Sequence, residues 1–117
     1  MPARFDLVTL DSPAPDRLAA FWAAALGLHE IEREDGDRWL VLADDAGARR
    51  IGVQRGVTRS GSLHLDIVCD TSDFDAECER LVGLGAAVQR EARAEPWGKI
   101  ANLLDPDGNP FDLCAYT

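Results

Sequence analysis

His64 and Asp66 stand two residues apart in "GSLHLDIVCD" (61–70), and Asp112 stands between Phe111 and Leu113 in the final stretch of the chain. A β-strand presents every second side chain to one face. The alternation therefore predicts that His64 and Asp66 share a face and that Asp112 points away from its two apolar neighbours. Histidine is the side chain that ordinarily changes charge near neutral pH, and beside carboxylates it can serve as a general base, a hydrogen-bond donor or a metal ligand. The plainer reading is a half-buried imidazole satisfied by a backbone carbonyl. For Asp112 the plainer reading is an edge strand with a solvated carboxylate. A carboxylate held inside needs a partner, water or a cation, because burying it alone is costly. Cys114 has the parity of Asp112 and could be a third ligand or a nucleophile, with His64 the only base in view. Asp66 is the other candidate third ligand.

These residues need strands to hold them, and the chain repeats itself in a way that supplies them. "LVTLDSPAPDRLAAFWAAALGL" and "LHLDIVCDTSDFDAECERLVGLGA" each run from alternation through a polar break to an amphipathic helix and a Leu-Gly stop. "WLVLADDAGARRIGV" and "KIANLLDPDGNPFDL" each carry Asp-x-x-Gly before an apolar strand. In the first helix Leu18, Phe21, Trp22, Ala25 and Leu26 form the predicted apolar stripe, with Asp16 as the start signal and Gly27 as the stop. In the second, Phe74, Cys78, Leu81 and Val82 form the stripe between Asp73 and Gly85. Each half thus reads as strand, helix, strand, strand, strand. The predicted fold is α+β, two βαβββ modules forming a curved sheet around a cavity. Module one covers about 4–55, a polar linker about 56–61, and module two about 62–117.

Trp39 and Trp97 begin corresponding strands near the hairpins and are candidate ligand-stacking aromatics, with ordinary packing as the plainer role. Asp105 and Asp107 read as turn residues without further function, His29 as a surface residue, Cys69 and Cys78 as small core fillers, and "VQREARAEPW" as a solvated hairpin.

Composition narrows the partners. The 117 residues carry 12 basic and 21 acidic side chains, for a formal charge of −9. Such a chain lacks the positive surface that nucleic acid or anionic lipid requires, and it would draw a cationic ligand. No apolar run approaches the roughly 20 residues of a membrane span, and the first residues lack the pattern of a signal peptide. Three cysteines without a CxxC pair point to a reducing cytoplasm. The expected partner is a small molecule, with no nucleic acid and no membrane.

"LAAFWAAALGL", "HLDI" and "LLDPDGNPFDLC", set in the duplicated pattern from about Phe5 to Cys114, resemble the vicinal oxygen chelate superfamily. That superfamily includes glyoxalase I, bleomycin-resistance proteins and extradiol dioxygenases, and the chain looks most like the small bacterial glyoxalase-like proteins. The resemblance implies a homodimer. It also implies that metal-dependent members use one inward residue from each of four strands, commonly His and Glu in each half. The second-half positions fall on His64 and Asp112, and the first-half positions fall on Leu7 and Gly52. Asp6 aligns with His64 in an alternative pairing of the halves, but it has the opposite strand parity from Leu7. Leu7 is the expected inward residue, because Val8 and Leu10 then pack on the helices. Two ligands are fewer than a catalytic metal site wants, so the expected cavity is metal-free, with His64, Asp66 and Asp112 as its chemistry and Leu7, Trp39, Trp97 and Cys114 lining it. Three functions remain open: a lyase or isomerase working by acid–base chemistry, a drug-sequestering protein of the bleomycin-resistance type, and a divalent-metal-dependent lyase using His64, Asp112 and a third ligand.

Overall fold

The computed structural model describes residues 5–59, 61 and 63–117. The expected start of module one near residue 4, and Ser60 and Ser62 of the linker region, lie outside the described residues. The chain divides into two compact units, Met1–Thr58 and Arg59–Thr117.

The first unit runs β1 (Val8–Ser12), α1 (Pro15–Leu26), β2 (His29–Glu34), β3 (Trp39–Ala43) and β4 (Arg49–Arg55). Its strands order as β1-β4-β3-β2, with β1 parallel to β4 and the other neighbours antiparallel. The second unit repeats the plan with β5 (Leu65–Val68), a 3-10 turn (Thr71–Asp73), α2 (Phe74–Leu84), β6 (Ala87–Glu95), β7 (Gly98–Leu104) and β8 (Pro110–Tyr116). Its order, β5-β8-β7-β6, is the same, with β5 parallel to β8. The α+β class and the βαβββ repeat are as the sequence predicts.

Both helices end where their glycines permit it, Gly27 at φ +66° and Gly85 at φ +125°. Asp73 stands at the N-cap of α2 as expected, whereas the start of α1 differs. Asp16 lies inside the first turn of α1 behind Pro15, and the Ser12 hydroxyl accepts the Ala14 N–H at 3.0 Å instead. Proline at the first helical position presets φ and lacks only an N–H that has no helical partner there. The stripes are also narrower than their apolar residues suggest. Leu18, Phe21, Trp22 and Ala25 are buried, while Leu26 is exposed. In α2 only Phe74 and Leu81 are buried, Cys78 is half-buried and Val82 is exposed. Phe74 and Leu81 are seven residues apart, two turns along one line, whereas Val82 is rotated about 100° off it.

The two Asp-x-x-Gly motifs are one turn built twice. Asp44 Oδ1 accepts the N–H groups of Ala46 and Ala48 at 3.1 and 2.9 Å. Asp105 Oδ1 accepts those of Asp107 and Asn109 at 3.0 and 2.9 Å. Gly47 and Gly108 both sit at φ +86°. Backbone N–H donors hold the Asp44 carboxyl below its ordinary range, that of Ala48 most strongly, with Arg50 assisting. Hydrogen bonds from Trp39 to Glu32, from Arg55 to Asp37 and from Arg80 to Glu77 lower those carboxyls likewise. A carboxyl whose folded value is depressed stabilises the fold above its unfolded value and loses that contribution as pH falls through the folded one. The melting temperature is therefore expected to stay level from about pH 7 to about pH 5 and to fall below about pH 4. Thermal unfolding followed by circular dichroism checks this; a level value down to about pH 3 would contradict it.

Among the described residues no helix is long and apolar enough to cross a membrane.

Candidate functional site

The faces of the second sheet are assigned by strand register. Lys99 Nζ lies 5.8 Å from the centre of the Phe74 ring, so the side of β7 that carries Lys99 is the side of α2. Asn102 in β7 has the opposite parity. It pairs with Asp112 of β8, which pairs with Asp66 of β5 on one side, while Arg90 of β6 pairs with Asn102 on the other. Asp66, Asp112, Asn102 and Arg90 thus form a polar row across the helix-free face.

His64 reaches this row from just before β5. Its Nε2 lies 3.6 Å from Asp66 Oδ2 and 3.6 Å from Asp112 Oδ2. One ligand atom from each of the three residues falls within 4.8 Å of the others. The separations from the imidazole exceed a good hydrogen bond, so His64 stands between two carboxylates without being locked to either by that geometry. Asp112 is the anchored member: the Asn102 side-chain amide donates to its Oδ1 at 2.5 Å, and only 19% of the Asp112 side chain is exposed. Asp66 and His64 are open, at 60% and 52%. Like charges on directly paired strand positions repel, so Asp66 and Asp112 together make a place that favours a positive charge.

One register along the same face come Val68, Cys114 and Ile100. Burial first, then the charges of Asp66 and Asp112, push the Cys114 thiol above its ordinary value, while a hydrogen bond with Tyr116 pulls the other way. Cys114 is therefore a protonated thiol at neutral pH and not a poised nucleophile. The neighbouring Cys114 sulfur raises the Tyr116 phenol above its ordinary value, with burial and Asp66 adding to the shift. Trp97 packs on Tyr116 with ring centres 5.5 Å apart.

Parity found His64, Asp66, Asp112 and Cys114, and one further step of two along β8 would have reached Tyr116. Asn102 carries the same signal, as a polar residue inside the apolar alternation of "KIANLL".

In the first unit, Val8 and Leu10 register with Ile51 and Val53. Ile51 also pairs with Leu42, which borders a cleft of about 230 Å³ beside Ala19, Ala20 and Ala23 of α1. Leu7, half-buried just before β1, has the parity opposite to Val8 and so belongs to the helix-free side. Asp6 accepts a hydrogen bond from Arg49 at 3.0 Å. The glycine at position 52 has a structural cause: a Cβ there would lie 2.6 Å from the Trp39 ring and 3.1 Å from Thr9 Oγ1. The indole occupies the space that a side chain at 52 would need. Glu32 holds it, accepting the Trp39 N–H at 2.6 Å and an Arg49 N–H at 3.1 Å. The helix-free face of this unit thus carries a half-buried indole over Gly52, the position that the resemblance assigns to a metal ligand.

Residues 7–114 match the glyoxalase-like domain family. The chain belongs to that family. With it comes membership of the vicinal oxygen chelate superfamily that the sequence resembles. A glyoxalase/bleomycin resistance protein/dioxygenase family enzyme from Burkholderia phytofirmans superposes with TM-score 0.83 at 20% identity, over 98% of this chain and all of that one. The fosfomycin resistance protein FosX from Listeria monocytogenes superposes with TM-score 0.80 at 21% identity, over 100% of this chain and 96% of that one. At such identities the likeness shows the fold alone. A FosX structure from the same organism contains Mn(II). Among curated proteins, the anthracycline biosynthesis protein DnrV of Streptomyces peucetius is 38% identical over 58 residues, half of this chain and 21% of that protein. A second anthracycline biosynthesis protein, DauV from Streptomyces, is 37% identical over 68 residues, 58% of this chain and 23% of its own. This family member spans about a fifth of the length of those relatives.

Proposed function

We propose that this glyoxalase-like chain binds a small organic molecule at His64, Asp66 and Asp112, and that His64 moves a proton to or from it in a lyase or isomerase reaction. The observation that carries the reading is an imidazole 3.6 Å from each of two carboxylates on a helix-free sheet face. Such a group is free to tilt toward a ligand, while the carboxylates orient it and stabilise the imidazolium that forms. Asn102 keeps one of those carboxylates in place. Capture of a cationic drug without chemistry is the rival for the same face, and it predicts that the ligand is returned unchanged.

The same geometry favours a second reading, a divalent cation at the site. Ligand atoms about 2.1 Å from one cation lie roughly 3.0–3.4 Å from each other, and the separations of 3.6 Å here approach that. One imidazole nitrogen and two carboxylate oxygens also suit a divalent ion and would leave coordination positions open. His64, Asp66 and Asp112 would hold it, and the ion would act as a Lewis acid toward a bound oxygen.

Calorimetric titration of chelator-stripped protein with zinc, nickel, manganese and iron(II), repeated on His64→Ala, separates the two. A stoichiometric site lost in His64→Ala makes the chain a metal-dependent member of its family. Absence of any His64-dependent uptake leaves proton transfer or simple binding, which the turnover of the same variant distinguishes.

A further inference from the structure

The helix-free face of the second unit exposes more apolar surface than its polar row requires. Val68 is 66% exposed and Tyr116 62%, and Trp97, packed on Tyr116, is 41% exposed. Val68, Cys114 and Ile100 lie one register from the acidic pair, and Tyr116 lies two registers from it. Two residues of a strand advance about 7 Å, so the surface runs about 14 Å from carboxylates to aromatics. Gly98 allows the close approach at the aromatic end, because a Cβ there would lie 1.9 Å from the Ala115 carbonyl oxygen. The face is anionic at one end and aromatic at the other, and both ends are open.

We propose that this face binds an organic ammonium with an aromatic or apolar body, its nitrogen between Asp66 and Asp112 and its body over Cys114 against Val68, Ile100 and Tyr116. Charge complementarity selects this occupant. The two carboxylates sit on paired strands with no guanidinium or ammonium within ion-pair distance among the described residues. A second copy of the chain would have to bury them against a molecule that itself carries a net charge of −9. An ammonium offers three N–H donors to the carboxylate oxygens, and its ring or chain covers the exposed apolar side chains. The tilted Tyr116–Trp97 pair gives an aromatic body an edge or a face to meet. The proposal rests on the reading that the His64 cluster is the binding centre, and it adds the charge and shape of what binds.

The probe is phenethylammonium, with 2-phenylethanol as its neutral match and phenylacetate as its anionic one. Each is titrated into the ¹⁵N-labelled 117-residue chain in EDTA-containing buffer. Phenethylammonium is expected to shift amide resonances of 64–68, 98–102 and 112–116 and to bind at least about tenfold more tightly than the alcohol, with no saturable binding of phenylacetate. The Asp66→Asn, Asp112→Asn double variant should lose about tenfold or more in affinity. Tyr116→Ala should lose roughly threefold or more, and Tyr116→Phe much less, since the ring is retained. Equal affinity for the alcohol and the ammonium overturns the proposal, as do shifts centred elsewhere. Concentration-dependent shifts of the same residues without ligand also overturn it, because they would show a second copy on the face. If the ammonium fails while a His64-dependent ion or another ligand still binds, only the ligand class falls. If none of them perturbs residues 64–68 and 112–116, the binding centre itself is wrong.

Discussion

Gly98→Ala is expected to lower the melting temperature by on the order of 10 °C, far more than the same change at Gly108. Both glycines have positive φ, +149° and +86°, so alanine is strained at either position. The surroundings differ. A Cβ at Gly108 meets nothing within 4 Å, whereas one at Gly98 lies 1.9 Å from the Ala115 carbonyl oxygen, 3.0 Å from its carbon and 3.1 Å from Tyr116 Cα. Those atoms are backbone and cannot swing aside. Gly98 pairs with Tyr116 across β7 and β8 and with Glu95 across the β6–β7 hairpin, so relief requires opening that end of the sheet. Overpacking and strained φ together suggest a cost of about 2–4 kcal/mol at Gly98, against about 1 kcal/mol at Gly108. For a chain of this size each kcal/mol moves the midpoint by about 4 °C. Thermal and urea unfolding of both variants make the comparison. Equal losses would mean that the close approach at Gly98 relaxes freely. The change should also loosen Tyr116 and Trp97, visible as broadened amide resonances at 112–117.

The architecture was legible because it is written twice. The same polar break, Leu-Gly stop and Asp-x-x-Gly turn recur in each half, and each motif has a local physical cause that sequence carries. The turns at Asp44 and Asp105 have the same hydrogen bonds. Period-two parity was enough to place His64 and Asp66 with Asp112, because a register error of one residue would have sent Phe111 and Leu113 to the open face. Contacts across strands were harder to read. Gly52 signals only a missing ligand until Trp39 is seen occupying its side-chain space from the neighbouring strand. Asn102 matters because β7 lies beside β8, and its alternation alone does not say which strand it faces. Val82 and Leu26 show the limit of composition, since both are apolar and lie at the flank of a stripe, yet both are exposed.

His64→Ala is expected to leave the fold intact and to abolish most of the chemistry. Half of the imidazole is exposed, and it stands 3.6 Å from its two acidic neighbours. Its removal should therefore change stability by no more than about 0.5 kcal/mol. An acid or base positioned for proton transfer contributes about 10²-fold or more to turnover. The variant should thus keep most of its affinity for compounds that raise the wild-type melting temperature, and convert them at least about 10²-fold more slowly, as followed by proton NMR. Asp112→Asn gives a different signature. It removes one of the two charges while leaving an oxygen that the Asn102 amide can still meet, so binding of cations should weaken before turnover does. The two variants therefore separate a proton carrier from an electrostatic clamp. Turnover that survives His64→Ala would sink the acid–base assignment. A compound that binds the wild type tightly and is returned unchanged would place the chain with the sequestering proteins, whose affinity depends on the carboxylates and the aromatic end more than on the imidazole.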